Sequence, residues 1–187
     1  HPIGKQDQYA AAYGGLNYFK FQPNGVVKIE HILPPNNSIK ILFESILLFW
    51  TGVQRKSEDV LLEQHKSIHE KQNVLIYIKD LVKDCRKILQ KDRLDMKAFG
   101  DILHNGWLKK KTLASNISNS NIDSYYEMAM QNGAYGGKIA GAGGGGFLML
   151  ICDPLKKDFI KQKLKELVCL DIGYEPRGSQ KLYSLES

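Results

Sequence analysis

The chain of 187 residues is 25% charged and 43% hydrophobic, the balance of a soluble globular protein long enough for one or two domains. It contains no apolar run of about 18 residues, which argues against a membrane-spanning helix. A net charge of +6 suits anionic substrates, but the lysines recur along helical patterns without interleaved aromatics, as at Lys156, Lys157, Lys161, Lys163 and Lys165, so no nucleic-acid partner is expected.

A short helix is predicted from near Gly4 to the Gly14-Gly15 pair, glycines that can supply a left-handed cap. Leu16–Phe21 and Val26–Ile32 alternate as two strands around Pro23-Asn24-Gly25, a hairpin signal. Pro34-Pro35-Asn36-Asn37 interrupts both periods and marks the clearest boundary. Beyond it, residues 44–50 read as a short apolar strand ending at Thr51-Gly52, and Ser57 starts a predicted helix to about Lys71. From there Val74, Ile78, Leu81, Cys85, Ile88 and Leu89 fall at helical spacing. Asp95 can cap the next helix, which holds Met96, Phe99, Leu103 and Trp107. Another helix, from about Ile122 to Gln131, stops at Asn132-Gly133. A glycine-rich stretch then leads to a strand at 147–152, and Asp153-Pro154 opens a helix to about Leu167. The end returns as strand near Gly173–Pro176 and Lys181–Leu185. Helices and strands alternating without long βαβ regularity predict α+β layers. The three cysteines (Cys85, Cys152, Cys169) are odd in number and widely spaced, which argues against a disulfide framework or a zinc site. The reducing cytoplasm is the expected compartment. There is no signal-peptide pattern, and an opening at His1-Pro2 without Met predicts that residues precede it.

Two segments carry chemistry. In Gly141-Ala142-Gly143-Gly144-Gly145-Gly146 the glycines permit positive φ and close approach, and successive N–H groups in such a loop form a concavity suited to anions. The spacing also fits G-x-G-x-x-G, but a dinucleotide site needs a helix after the loop, and here an apolar strand follows and is broken by Asp153-Pro154. A hairpin connection without a ligand is the plain alternative. At the other end of the chain, helical spacing puts Asp7, Ala11 and Gly14 on one face, so a carboxylate stands above a strip nearly free of side chain. In the first turn of its helix that carboxylate is favoured in its charged form and could accept a proton or orient a hydroxyl. The competing role is stabilisation of its own helix terminus.

The motifs G-K-Q-D-Q-Y-A-A-A-Y-G-G at 4–15 and K-I-A-G-A-G-G-G-G-F at 138–147 together resemble the GHMP kinases, named for galactokinase, homoserine, mevalonate and phosphomevalonate kinases. The segment G-W-L-K-K-K-T-L-A-S-N-I-S-N-S-N-I-D at 106–123 is similar to the heptose kinases of that family, which phosphorylate D-glycero-D-manno-heptose 7-phosphate at the anomeric oxygen. The resemblance spans the whole chain but covers only the C-terminal portion of such an enzyme. Residues 1–33 are then expected to be the helix and hairpin at the tail of the nucleotide-binding domain. Residues 34–187 are expected to form a ferredoxin-like C-terminal domain with extra helices. The resemblance implies transfer of a phosphoryl group from ATP with Mg2+ to a sugar phosphate, with Asp7 as the catalytic aspartate. The loop residues Gly141, Ala142, Gly143, Gly144 and Gly145 match the third family motif, against the active site, and Gly4 and Gln6 flank the aspartate as acceptor contacts. ATP and Mg2+ are expected to be held mainly by an N-terminal portion whose phosphate loop is not in this sequence, so the isolated chain is expected to lack activity.

Arg55 resembles a family arginine near the cleft, whose fork could hold a sugar phosphate, although an exposed arginine after a strand is as often only solvated. Lys110 and Lys111 could meet the acceptor's 7-phosphate, while Trp107 beside them suits a core. His65 and His69 are four apart, but Lys66 stands where H-E-x-x-H needs glutamate, so surface histidines are expected. An L-fucose or galactose kinase is the nearest rival. A non-catalytic sugar-binding domain or a purely structural module is disfavoured by Asp7.

Overall fold

The computed structural model describes residues 4–35, 37–54, 57–66 and 68–181. Helix α1 (Gln6–Tyr13) leads into a hairpin of β1 (Asn17–Phe21) and β2 (Val27–His31), with Phe19 opposite Ile29. The turn forms where Pro23-Asn24-Gly25 predicts it: the Asn24 side chain accepts from the Val26 N–H at 3.1 Å. Next come α2 (Ser38–Glu44), β3 (Ile46–Trp50), α3 (Ser57–Lys66), α4 (Gln72–Leu89) and α5 (Met96–Lys111). The chain continues through α6 (Ser120–Gln131), β4 (Ala134–Ile139), β5 (Phe147–Cys152), α7 (Lys157–Lys163) and β6 (Val168–Leu170).

The last four strands form one antiparallel sheet in the order β4-β5-β3-β6, separate from the hairpin. Counted along the chain, this sheet has its fourth strand beside the first and its third between first and second, the order of a ferredoxin-like split βαβ. The α+β expectation is met. Both faces of the sheet are covered, which is why β5 reads as an unbroken apolar run. Leu148 and Leu150 join the larger core with Phe49, Trp107, Ile117, Ile122 and Ile160. Ile151 joins a second cluster with Leu42, Leu94 and Met96. The hairpin is tied to α4 by an Arg86–Glu30 ion pair, with the Arg86 guanidinium 5.1 Å from the Tyr18 ring centre.

The sharpest packing constraint lies between α5 and β4. Asp95 caps α5 by accepting from the Ala98 N–H at 2.9 Å, as predicted. One turn on, Gly100 meets β4: a Cβ there would collide with the Tyr135 Cβ and lie 3.0 Å from the Tyr135 carbonyl carbon. Conversely, a Cβ at Gly136 would strike the Gly100 carbonyl oxygen. Helix and strand can touch only because both positions lack a side chain.

Several elements differ from the sequence expectation. The short helix α2 is not expected from the sequence, and the strand predicted from 44 begins at Ile46, because a seven-residue helix buries Ser38 and Leu42 first. Strand β4 is absent from the prediction, since Gly136-Gly137 depresses local strand preference and pairing with β5 overrides it. Helix α3 ends at Lys66 rather than Lys71, and a 3-10 turn at Pro154–Lys156 precedes α7, which stops at Lys163. Residues 173–176 form no strand; the sheet edge is taken instead by Val168–Leu170, opposite Leu48–Trp50. The strand expected from Lys181 lies, beyond Lys181 itself, outside the described residues. No helix among the described residues is long and apolar enough to cross a membrane.

Replacing Gly100 by Val should lower the free energy of unfolding by about 2–3 kcal/mol, through overpacking against β4. A urea denaturation curve checks this as a lowered midpoint.

Candidate active site

Asp7 stands exposed in the first turn of α1, where no side chain caps the helix start. The helix buries none of its own residues; the Tyr9 and Tyr13 rings pack against Phe19 of the hairpin, and contacts at its C-terminal end complete the hold. At the C-terminal end that hold is a strap formed by residues 174–179. The Gly15 N–H donates to the Glu175 carbonyl at 2.7 Å, and the Ser179 N–H to the Ala12 carbonyl at 3.2 Å. The Ser179 hydroxyl donates to the Ala11 carbonyl at 3.3 Å. Gly14 and Gly178, both left-handed, press backbone to backbone, and a Cβ on Gly178 would lie 2.5 Å from the Gly14 nitrogen. The small-residue face predicted at Ala11 and Gly14 is therefore filled at this end by the chain's own backbone. Tyr174 anchors the strap against Phe43 on α2, with ring centres 5.7 Å apart.

The glycine stretch connects β4 to β5 as a hairpin loop and is fastened from two sides. The Gly144 N–H donates to the Ile117 carbonyl at 2.6 Å, and the Gly146 N–H to the Val53 carbonyl at 2.9 Å. Thr51 closes it further, its hydroxyl donating to the Gly146 carbonyl at 2.8 Å. Tight contact accounts for two of the glycines: a Cβ on Gly143 would lie 2.9 Å from the Ile117 carbonyl oxygen, and one on Gly145 2.5 Å from that of Val53. The expectation of an open row of N–H groups needs correction, since two of them are used internally.

Asp7 and the start of this loop border one cleft of about 670 Å³, lined also by Gly4, Gln6, Lys110, Lys138, Gly141 and Ala142. Gly143 and Gly145 line a separate hollow of about 210 Å³ with Trp50, Val53 and Gln54. Gly144 lines neither. Arg55 lies outside the described residues. Lys111 is committed elsewhere, 2.9 Å from the Asp123 carboxylate, which also accepts from the Ser118 hydroxyl. Trp107 is a core residue, 1% exposed. His65 and His69 are both exposed on the surface. Among the described residues no three His, Cys, Asp or Glu side chains come together, so they offer no cage for a metal ion.

Lys138 is among the cleft residues that sequence reasoning did not select, although it opens the glycine motif. Two residues on from Gly136, it lies on the face of β4 that meets α5 and borders Leu103, Gly106, Trp107 and Lys110, a placement readable only once β4 is known to be a strand. Lys110, from the last turn of α5, reaches the loop and donates to the Gly141 carbonyl. Burial, and then the neighbouring Lys138 ammonium, bring the Lys110 pKa down to about 8. Burial also lowers Lys138, opposed by the charges of Cys85 and Asp7.

The region from α4 to β6 matches the family profile described as GHMP kinases C terminal, over residues 81–168. The chain is 34% identical over 166 residues to the D-glycero-alpha-D-manno-heptose 7-phosphate kinase of Campylobacter jejuni, covering 87% of this chain and 48% of that protein. It is 29% identical over 176 residues to the bifunctional fucokinase/GDP-fucose pyrophosphorylase of Arabidopsis thaliana, covering 90% of this chain and 16% of that one. Among solved structures, a D-glycero-D-manno-heptose 1-phosphate kinase from Bacteroides thetaiotaomicron superposes with a TM-score of 0.70 at 27% identity, covering 98% of this chain and 50% of the other. The chain thus spans half or less of the length of these relatives.

Two outcomes follow from this geometry. Gly178→Val should detach the strap and speed hydrogen exchange at the α1 amides by about tenfold or more, with little change at β5, as followed by NMR or mass spectrometry. Lys138→Met removes a cation that disfavours the Lys110 ammonium, so the Lys110 titration midpoint should rise above about 8, measured by NMR of the lysine side chains.

Proposed function

Since residues 81–168 belong to the GHMP kinase C-terminal family, we propose that the protein containing this chain is an ATP-dependent kinase of D-glycero-D-manno-heptose 7-phosphate, acting on the anomeric hydroxyl. The observation that carries this reading is that Asp7 and the Gly141-Ala142 turn, far apart in sequence, line the same cleft. Similarity to the heptose 7-phosphate kinase over 87% of the chain supports the choice of acceptor. An L-fucose-type acceptor is the second reading, supported by similarity to the fucokinase over 90% of the chain.

ATP would supply the phosphoryl group. What these residues contribute is alignment and charge, the main requirements of phosphoryl transfer. Asp7, exposed to the cleft, would accept a hydrogen bond from the acceptor hydroxyl and take its proton as the new O–P bond forms and the bond from the γ-phosphorus to the bridging oxygen breaks, with ADP leaving. An anomeric hydroxyl is more acidic than an ordinary alcohol, so a carboxylate is base enough. Lys110 and the Gly141-Ala142 backbone line the same cleft, with Gly4 and Gln6 beside Asp7 as acceptor contacts. Gly143, Gly144 and Gly145 hold the loop in shape through Ile117 and Val53. Arg55 is a further contact to the sugar phosphate in this proposal. Mg2+ is assigned to residues beyond these 187, together with the phosphate-gripping loop of a nucleotide-binding domain to which residues 1–33 belong. The chain by itself is accordingly assigned no turnover, and the cytoplasm remains the proposed compartment.

Asp7→Ala in the complete protein should lower kcat about 10²- to 10⁴-fold, with a smaller change in KM, in a coupled assay of ADP release with heptose 7-phosphate as acceptor. Turnover within a factor of about three of the parent would remove Asp7 from the reaction.

A further inference from the structure

The cleft holds more cationic donors than its single carboxylate can match. Lys5, Lys110 and Lys138 line it, and Asp7 is the only acidic residue among the described lining residues. The Lys138 side chain makes no hydrogen bond or ion pair with any described residue, and the Lys110 ammonium bonds only to a backbone carbonyl. Elsewhere on the surface, exposed lysines pair readily: Lys83 with Asp80, Lys87 with Asp84 and Lys97 with Asp101. Partners are therefore missing where burial makes an unpaired ammonium costly, and present where exposure makes pairing nearly worthless. The amide groups of Gly141 and Ala142, in the same cleft, also make no hydrogen bond to a described acceptor.

We propose that Lys138 and Lys110, with the Gly141 and Ala142 N–H groups, bind a phosphate group in the Asp7 cleft, Lys138 being the residue that makes the site selective for a dianion. The two ammoniums come from different elements, β4 and α5, locked together at Gly100 and Gly136, so their spacing is set before any ligand arrives. A dianion between them offsets both charges, and its oxygens accept from ammonium and amide donors alike. The proposal uses the kinase reading only to name the carrier of the phosphate: either the acceptor's own phosphate or the group transferred from the nucleotide.

The test is a titration of the 187-residue chain, with the lysine side-chain signals followed by NMR. The probes are inorganic phosphate, mannose 6-phosphate, mannose and a non-hydrolysable ATP analogue. Saturable shifts at Lys110 and Lys138 with phosphate-bearing probes, and none with mannose, are expected. Tighter binding of mannose 6-phosphate than of the ATP analogue assigns the site to the acceptor, and the reverse order assigns it to the transferred group. Lys138→Met should weaken the tighter probe about tenfold or more, Lys138→Arg less, and the thermal midpoint of each variant checks folding. No saturable response to any phosphate probe, or unchanged affinity in folded Lys138→Met, overturns the proposal. Phosphate binding together with a complete protein that transfers no phosphoryl group to any sugar would instead discard the kinase reading and leave this site standing.

Discussion

Helix α5 can lie against strand β4 only because Gly100 and Gly136 leave the two backbones free to touch, and the cleft depends on that contact. From the contact plane α5 runs on to Lys110 in its last turn, while β4 carries Lys138. Side chains at either glycine would push the two elements apart and the two ammoniums with them. Packed interiors transmit such displacements rather than absorb them, so a residue without functional groups governs the placement of those that have them.

The glycine loop divides its work. Its far half is a structural clasp, in which Gly144 and Gly146 spend their N–H groups on Ile117 and Val53 and in which Gly143 and Gly145 allow close backbone contact. Its near half, Gly141 and Ala142, faces the cleft beside Lys110. Rigidity in one half is what lets the other present its donors at fixed positions.

Helix α1 buries none of its residues and is held by the hairpin after it and by the strap across its C-terminal end. Asp7 is thus positioned by residues more than 160 places away in the chain, through Gly178 and Ser179. The GHMP kinase C-terminal match ends at residue 168, short of that strap. The strap joins the helix that bears the carboxylate to the sheet domain that bears the lysines.

Most helices and the hairpin were legible in the sequence because their signals are local: Asn24-Gly25 in the turn, Asp95 as a cap, and apolar residues at helical spacing in α4. The Asp7 helix and the glycine motif were legible for the same reason, each being a contiguous pattern. Strand β4, the edge strand at 168–170 and the strap were not, because pairing partners far away in sequence decide them against weak or contrary local preference. Lys138 stayed hidden with β4, since only a strand puts it two residues beyond Gly136 on the face that meets α5. The residue types able to do the chemistry were written in the sequence. Which of them face one another, and which backbone N–H groups remain free to do so, was decided by long-range contacts that no local pattern encodes.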